Sequence, residues 1–478
     1  MLLIRNGRLI SPDISGLDSK VNIVVKDGII HEISPYEIAG SDQFRKIIEA
    51  EGKLVMSGLV NSHTHSYGNY VKATTENIPL ETWMLHIMAQ GSCMQPEDVY
   101  WNAALGAVEM IKTGTTCCLD HLSQNMGGLD AAMKAYSDIG LRVTLAPMIS
   151  DKTYSASLPI KYSLISSKHG KDSNLTVDEI LADTIALMRK WHGHQGRLAV
   201  AFGPSGPQRC SDHLLKKSME LAIEYDTIWH SHVLETKIQA KTGYHQYGKP
   251  MIKHLAEIGC LNERASLAHA VWVENEEANL IAERDALLVH NPGSNLILGS
   301  GIAPLNNYRK LGITVALGTD GTNCGGNLNL LEVMKLTAML HKYSDTDPRN
   351  WITANEVLRM ATINGSKATM WGKEIGCLEP GKQADIVVLN PTKSPALQPI
   401  QNPNWQLVYG ESGQGVETVI IRGKVVLENG NLTTLDEEQV YVEANKRSVR
   451  IVNDYIKHNT SIGEQTKFIE KYVFDQYS

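Results

Sequence analysis

Eight short apolar runs punctuate residues 57–320: SGLVNSH, TGTTCCLDH, LRVTLAP, LAVAFGPS, TIWHSHV, ASLAHAV, ALLVHNP and ITVALGTD. Longer segments separate them, such as EDVYWNAALGAVEMIKT and SDHLLKKSMELAIEYD, with apolar residues at helical spacing. Strands apolar along their whole length are buried on both faces, and intervening helices are what cover a parallel sheet. Eight such units predict an α/β fold, a (β/α)8 TIM barrel over residues 57–372. The two ends differ from this middle and match each other. LLIRNGRLI, VNIVVKDGIIHEI and KIIEAEGKLVM at one end, ADIVVLN and VETVIIRGKVVLENG at the other, are short apolar runs broken by Asn6-Gly7, Asp27-Gly28 and Arg422-Gly423. They predict a small β-sandwich module built from both termini, residues 1–56 and 373–435, followed by a helical extension over 436–478.

Composition narrows the function. With 42% hydrophobic and 20% charged residues the chain is ordinary globular material. It holds no run of uncharged apolar residues long enough for a membrane span. A net charge of -7 without a basic face argues against a nucleic-acid partner. Seven cysteines, with no CxxC pair, form neither a disulfide framework nor a thiolate zinc site. MLLIRNGRLI turns polar too early for a signal peptide, so a cytoplasmic setting is expected.

The strand ends carry the chemistry. In barrels of this kind sites form at the C-terminal mouth, and most of the eight runs reach histidine or aspartate there. His63 and His65 close the first run, on the same side of an extended chain. His232 closes the fifth, Glu235 follows three residues later, His269 closes the sixth and Asp320 the eighth. Three imidazoles and a carboxylate suit one divalent ion, zinc first and ferrous iron second. Such an ion lowers the pKa of a water from about 15.7 toward about 7. Glu235 would then take the water's proton and hand it to a leaving nitrogen, while His269 orients the nucleophile. His230 competes with His232 as a ligand but lies one pleat further from the strand end. His121, after Asp120, and His290, in VHNPGSN, are further candidates for substrate contact.

VNSHTHS, HVLETK, LAHAVW, HNPGSNLILGSGIAPL and LGTDGTN, in that order, resemble the amidohydrolase superfamily. The resemblance is to its chlorohydrolase-like aminohydrolases, which include S-adenosylhomocysteine/methylthioadenosine deaminases, guanine deaminases and triazine hydrolases. It extends to EPGKQADIVVL in the terminal module. It implies one metal on His63, His65, His232 and Asp320, with Glu235 as proton shuttle and His269 as second acid/base. It also implies a homodimer or larger homo-oligomer acting on a small nitrogen-containing substrate. A Glu three residues after the metal histidine resembles the deaminating members, which implies ammonia release by metal-hydroxide attack on an amidine-like carbon. LETWM, with Glu81 and Trp83, resembles an acidic-x-Trp segment used near a ribose.

Three departures bear on the substrate. Gly203-Pro204-Ser205-Gly206-Pro207-Gln208 has Ser205 where adenosine-type deaminases carry a ring-contacting histidine. Ala146-Pro147-Met148 lacks an arginine for a carboxylate tail, and the loop after Asp320, with Asn323, lacks the usual serine-asparagine run. They favour a smaller or differently decorated ring, or a guanidine, over S-adenosylhomocysteine itself. The competing readings are an amidohydrolase that opens or closes a ring C–N bond, a triazine-type dechlorinase, and a catalytically silent scaffold. The scaffold reading is disfavoured because every ligand and proton-handling residue is present. The segment 66–95, with Gly68 and Gly91, is expected as a mobile loop over the pocket.

Overall fold

The computed structural model describes residues 1–14, 20–124, 127–159, 175–343, 345–458 and 462–477. Each of the eight apolar runs contributes a parallel strand: Leu59–Thr64, Thr115–Asp120, Arg142–Leu145, Leu198–Val200, Trp229–Val233, Ala265–His269, Leu287–His290 and Val315–Leu317. The first four pair in chain order, and so do the last four. A parallel bridge between Phe202 and Trp229 joins the two sets. The seam between last and first strands is held by Asp320 N donating to His63 O at 3.0 Å. The Asn61 amide adds a 2.7 Å bond to Thr319 Oγ1 there. The strands therefore close into a (β/α)8 barrel. Their side chains are almost all buried, as continuous apolarity requires. Gly318 is needed at the seam, because a Cβ there would sit 2.8 Å from His63 Cβ.

Capping sets where the covering helices begin. Pro96 opens Pro96–Lys112, where its missing N–H costs nothing, and the Ser211 hydroxyl accepts from Leu214 N to start Asp212–Glu224.

The termini assemble into one nine-stranded sheet, in which Leu54–Ser57 pairs antiparallel with Ile386–Leu389. Eight of the strands follow one hydrogen-bonded path, and the ninth, Lys46–Glu49, branches from it by pairing parallel with Leu2–Leu9. Leu2, Ile4, Ile23, Val55, Ile386 and Ile420 form its own apolar cluster. Asp27-Gly28 and Arg422-Gly423 make two-residue turns with positive φ, 53° and 82° for the first pair and 49° and 74° for the second. Asn6-Gly7 does not turn the chain. It lies inside the strand Leu2–Leu9, where Asn6 has φ 62° and the register shifts between Ile4 and Gly7. The physical reason is a bulge: Asn6 N donates to the Asn22 side chain at 2.9 Å, leaving the ladder for one step.

The segment expected as a mobile loop is largely helical. LETWMLHIMAQGS forms Leu80–Ser92 because its apolar residues recur on one face, burying Leu80, Trp83 and Ile87. The extension comprises two helices, Glu437–His458 and Ile462–Tyr477. Arg447 pairs with the buried Asp98 at 3.0 Å, and Tyr455 Oη lies 2.5 Å from His86 Nδ1. Among the described residues no helix is long and apolar enough to cross a membrane.

One ion-pair cluster ties the N-terminal strands to the C-terminal ones. Glu417 receives Lys53, Asn390 at 2.7 Å and Lys393 at 3.2 Å. Burial alone would raise its pKa, but these partners hold it down at about 2. A depressed carboxylate contributes stability that is present above its unfolded pKa, about 4.3, and lost as pH falls toward the folded value. The stability difference between wild type and Glu417→Gln in urea melts is therefore expected to be constant above about pH 5 and to shrink steadily below about 4.3. A gap unchanged between pH 6 and pH 3.5 would contradict this.

Candidate metal centre at the barrel mouth

The tautomers of two histidines are set by what backs them. His65 Nδ1 lies 2.6 Å from His121 O, and His232 Nδ1 lies 2.5 Å from Ser205 O. Carbonyls only accept, so each Nδ1 carries the proton and each Nε2 presents a bare lone pair. Those two Nε2 atoms stand 3.1 Å apart with no proton to share. Ligands about 2.0–2.1 Å from one tetrahedral ion would be separated by about 3.3 Å. His63 joins them. Its Nδ1 is 2.8 Å from His230 Nε2, and His230 Nδ1 is 3.0 Å from Ser266 Oγ, a relay that leaves His63 Nε2 buried and unpartnered. Asp320 Oδ1 completes the group at 3.3 Å from His65 Nε2 and 3.7 Å from His63 Nε2. Bare lone pairs facing one another in a buried space are costly unless a cation sits among them. The donor set fits a divalent ion.

The charges agree with the geometry. Burial, then the neighbouring imidazoles, pushes His63 well below its ordinary value, and the same causes push His232 down. Burial would raise Asp320, but His65, His269 and His232 hold it below the usual carboxylate range. His63 and His232 are thus neutral imidazoles facing one carboxylate, the protonation states that metal binding requires.

Glu235 and His269 border this group. Glu235 Oε2 is 3.7 Å from His269 Nε2, which is 3.7 Å from Asp320 Oδ2. His269 Nδ1 meets Asn295 Oδ1 at 2.9 Å, which aims the bare Nε2 inward. Burial first, then the charges of Asp320 and Glu81, raises the Glu235 carboxyl well above the ordinary range. Its Oε1 has no partner. Strand ends here are bent to make this arrangement: Leu234, His269, Ala270 and Asp320 all have positive φ, between 46° and 74°. Such conformations each cost about 1–3 kcal/mol in non-glycine residues and concentrate at functional sites.

A cavity opens over the centre. His65, His232, Glu235, His269 and Asp320 line it, and so do Glu81, Trp83 and Ser205. Glu81 is buried, with Oε1 accepting from Thr236 Oγ1 at 2.6 Å and Oε2 unpartnered. His121, His290 and Asn323 are not among the lining residues. His121 instead stacks on His232, ring centroids 4.8 Å apart, and its Nε2 lies 3.1 Å from Gly203 O. His290 pairs with His341 at 3.0 Å, and the Asn323 amide is buried without partners. Sequence reasoning missed Asn295, Tyr67, Arg209 and Gln239. Asn295 belongs to the same HNPGSN stretch that singled out His290, and its contact with His269, 26 residues away in the chain, is the signal that spacing did not carry.

Comparison with known proteins gives matches over most of the chain. A model of the amidohydrolase family matches residues 54–426. A 5-methylthioadenosine/S-adenosylhomocysteine deaminase of Thermoanaerobacter pseudethanolicus is 35% identical over 454 residues, 94% of this chain and 99% of that one. A 5'-deoxyadenosine deaminase of Methanothermobacter thermautotrophicus is 33% identical over 421 residues, 88% of this chain and 92% of that one. A crystal structure of a zinc-bound adenosine deaminase from Xanthomonas campestris superposes with a TM-score of 0.82 at 26% identity, covering 95% of this chain and 98% of that one.

Proposed function

This chain belongs to the amidohydrolase family, and from that premise we propose that it is a zinc-dependent aminohydrolase that removes the exocyclic amino group of an adenosine-type nucleoside as ammonia. The observation that carries the reading is the convergence of four donors, one high-pKa carboxyl and one oriented imidazole on a single cavity. His63, His65, His232 and Asp320 would hold the ion. When bound, it supplies a water acidic enough to attack near neutral pH. Glu235 takes a proton from the attacking water and delivers it to the ring nitrogen beside the carbon under attack. It then takes the remaining proton from the added hydroxyl and passes it to the departing amino group, so that a carbonyl forms, ammonia leaves and there is no net proton change. His269, held by Asn295, stabilises the charge that develops on the attacking oxygen. Glu81, with one oxygen unpartnered, is suited to accept a sugar hydroxyl, and Trp83 walls the same side.

The departures at Ser205 and Ala146-Pro147 then concern the periphery of the substrate, since the relatives at 33–35% identity are named for adenosine compounds. The reading also divides the chain into barrel, two-terminus module and helical extension at the boundaries expected above, and treats the molecule as a homo-oligomer.

Elemental analysis paired with ammonia release from adenosine, 5'-deoxyadenosine and S-adenosylhomocysteine tests it. About one zinc per chain with ammonia from at least one of these is expected. A bound ion also stabilises the fold by mass action, so a strong chelator is expected to lower Tm by several degrees and added zinc to restore it. Metal without ammonia would move the reading to ring C–N hydrolysis or dechlorination. A Tm indifferent to chelator would remove the ion.

A further inference from the structure

Beside the catalytic cavity lies a second one, whose walls among the described residues include none of the metal-centre side chains. The two are contiguous, sharing Tyr67, Met84, Met148, Ser205 and Arg209. Arg209 is the one arginine or lysine in either wall among the described residues. Its main chain is fixed on both sides, with N donating to Gly206 O at 2.9 Å and O accepting from Lys152 N at 3.1 Å. The guanidinium is not fixed in this way. Its Nε is shut from solvent without a partner, and among the described residues no carboxylate or carbonyl accepts from its other nitrogens. Its one close companion is the Tyr154 ring, 5.7 Å away.

Other buried arginines in this chain behave differently. Arg142 is saturated by Asp385, Gln383 and Gly196 O, and Arg197 by the carbonyls of Tyr136, Leu141 and Ser137. Burial lowers the Arg209 pKa, and the groups that push it back up are Cys210, Tyr154 and Tyr67, with no carboxylate among them. A guanidinium whose Nε is desolvated and unpaired is costly to keep, unless its acceptor arrives with the ligand. Planar bidentate pairing with carboxylate or phosphate is what the group does best. Ser123 and Ser150, in the second cavity, add hydroxyls suited to the same oxygens.

We propose that the second cavity is an anion subsite with Arg209 as its cation, so that the substrate carries a carboxylate- or phosphate-class group on the end away from the reacting amino group. Which end faces the metal centre rests on the deaminase reading. The subsite itself rests on the unpaired guanidinium and the shared wall.

Calorimetric titration in a Glu235→Gln background, which leaves ligands unconsumed, separates the two. The probes are S-adenosylhomocysteine for a carboxylate, adenosine 5'-monophosphate for a phosphate, and neutral 5'-deoxyadenosine. At least one anionic probe is expected to bind about 30-fold or more tighter than the neutral one, as a desolvated charge-assisted pair allows. Adding Arg209→Met is expected to erase that advantage while neutral binding holds within about 3-fold, and Arg209→Lys to restore part of it. The probe that loses affinity names the anion. Equal binding of charged and neutral probes, binding of none, or equal loss of all in the Arg209→Met protein overturns the subsite. Ammonia release by wild type is scored in parallel. Its absence with the anion advantage intact defeats the deaminase reading and leaves the subsite standing.

Discussion

Replacing Glu235 by glutamine is expected to lower kcat by at least about 100-fold, the usual cost of removing an acid/base group that acts in the transition state. Zinc content is expected to stay near one per chain, because the four proposed ligands His63, His65, His232 and Asp320 are all retained; loss of the metal would instead count Glu235, which converges with His269 and Asp320, among the ligands. The variant isolates proton transfer well. An amide has the shape of the carboxyl it replaces, and it can still accept from the Ser300 hydroxyl, the one hydrogen-bonding group that eases the Glu235 charge among the described residues. The main chain is anchored independently, Glu235 N donating to Gln239 Oε1 at 2.8 Å. Stability should therefore hold or rise, since a neutral amide is less costly than a buried carboxylate crowded by Asp320 and Glu81. A protein that folds, binds zinc and scarcely turns over would place the proton traffic on Glu235. Turnover within a few-fold of wild type would move it to another group, with His269 next in line at 3.7 Å.

Why that centre was legible in sequence, and its surroundings were not, follows from what periodicity carries. Buried parallel strands admit few polar residues, so His63, His65, His232, His269 and Asp320 stood out where apolar runs ended. The eight-fold repeat of strand and helix carried the barrel in the same way. Closure of the barrel at Asn61 and Thr319 depends on residues 258 apart in sequence, a pairing no local pattern encodes. The same limit applies to Asn6-Gly7, which has turn chemistry but is drawn into a bulge by Asn22 across the sheet. The helix Leu80–Ser92 was legible in its apolar spacing and was passed over because Gly68 and Gly91 suggested a loop. His121 shows a subtler failure. It sits at a strand end like the donors, yet its ring is turned to Gly203 O and its own carbonyl orients His65. Residue type and position suggested a substrate contact, whereas the carbonyl distances place it as a support for its neighbour.

Asp385 carries the second large effect, on stability. EPGKQADIVVL resembled a family strand, and the physical reason for its aspartate is Arg142. Arg142 is wholly buried at the start of the third barrel strand, with Nε 2.9 Å and Nη2 2.8 Å from the two Asp385 oxygens. Trp371 covers the guanidinium at 4.7 Å. The same carboxylate accepts from Arg422 N at 2.9 Å, and its main-chain oxygen accepts from Gly58 N at 3.0 Å. One residue thus joins the terminal sheet, the entry to the first barrel strand and the barrel wall. Asp385→Ala leaves a buried guanidinium without its anion, which is expected to cost about 3–5 kcal/mol. Thermal melts should show it as a large drop in Tm, with activity per folded molecule unchanged in the cold because neither partner lines the cavity. Replacing both, as Arg142→Met with Asp385→Leu, is expected to recover much of the loss, since an apolar pair of similar volume often matches a buried ion pair. Recovery would assign the cost to the stranded charge. No recovery would assign it to the hydrogen bonds that Arg422 and Gly196 lose, and a single variant with wild-type Tm would mean that the module and the barrel are held together elsewhere.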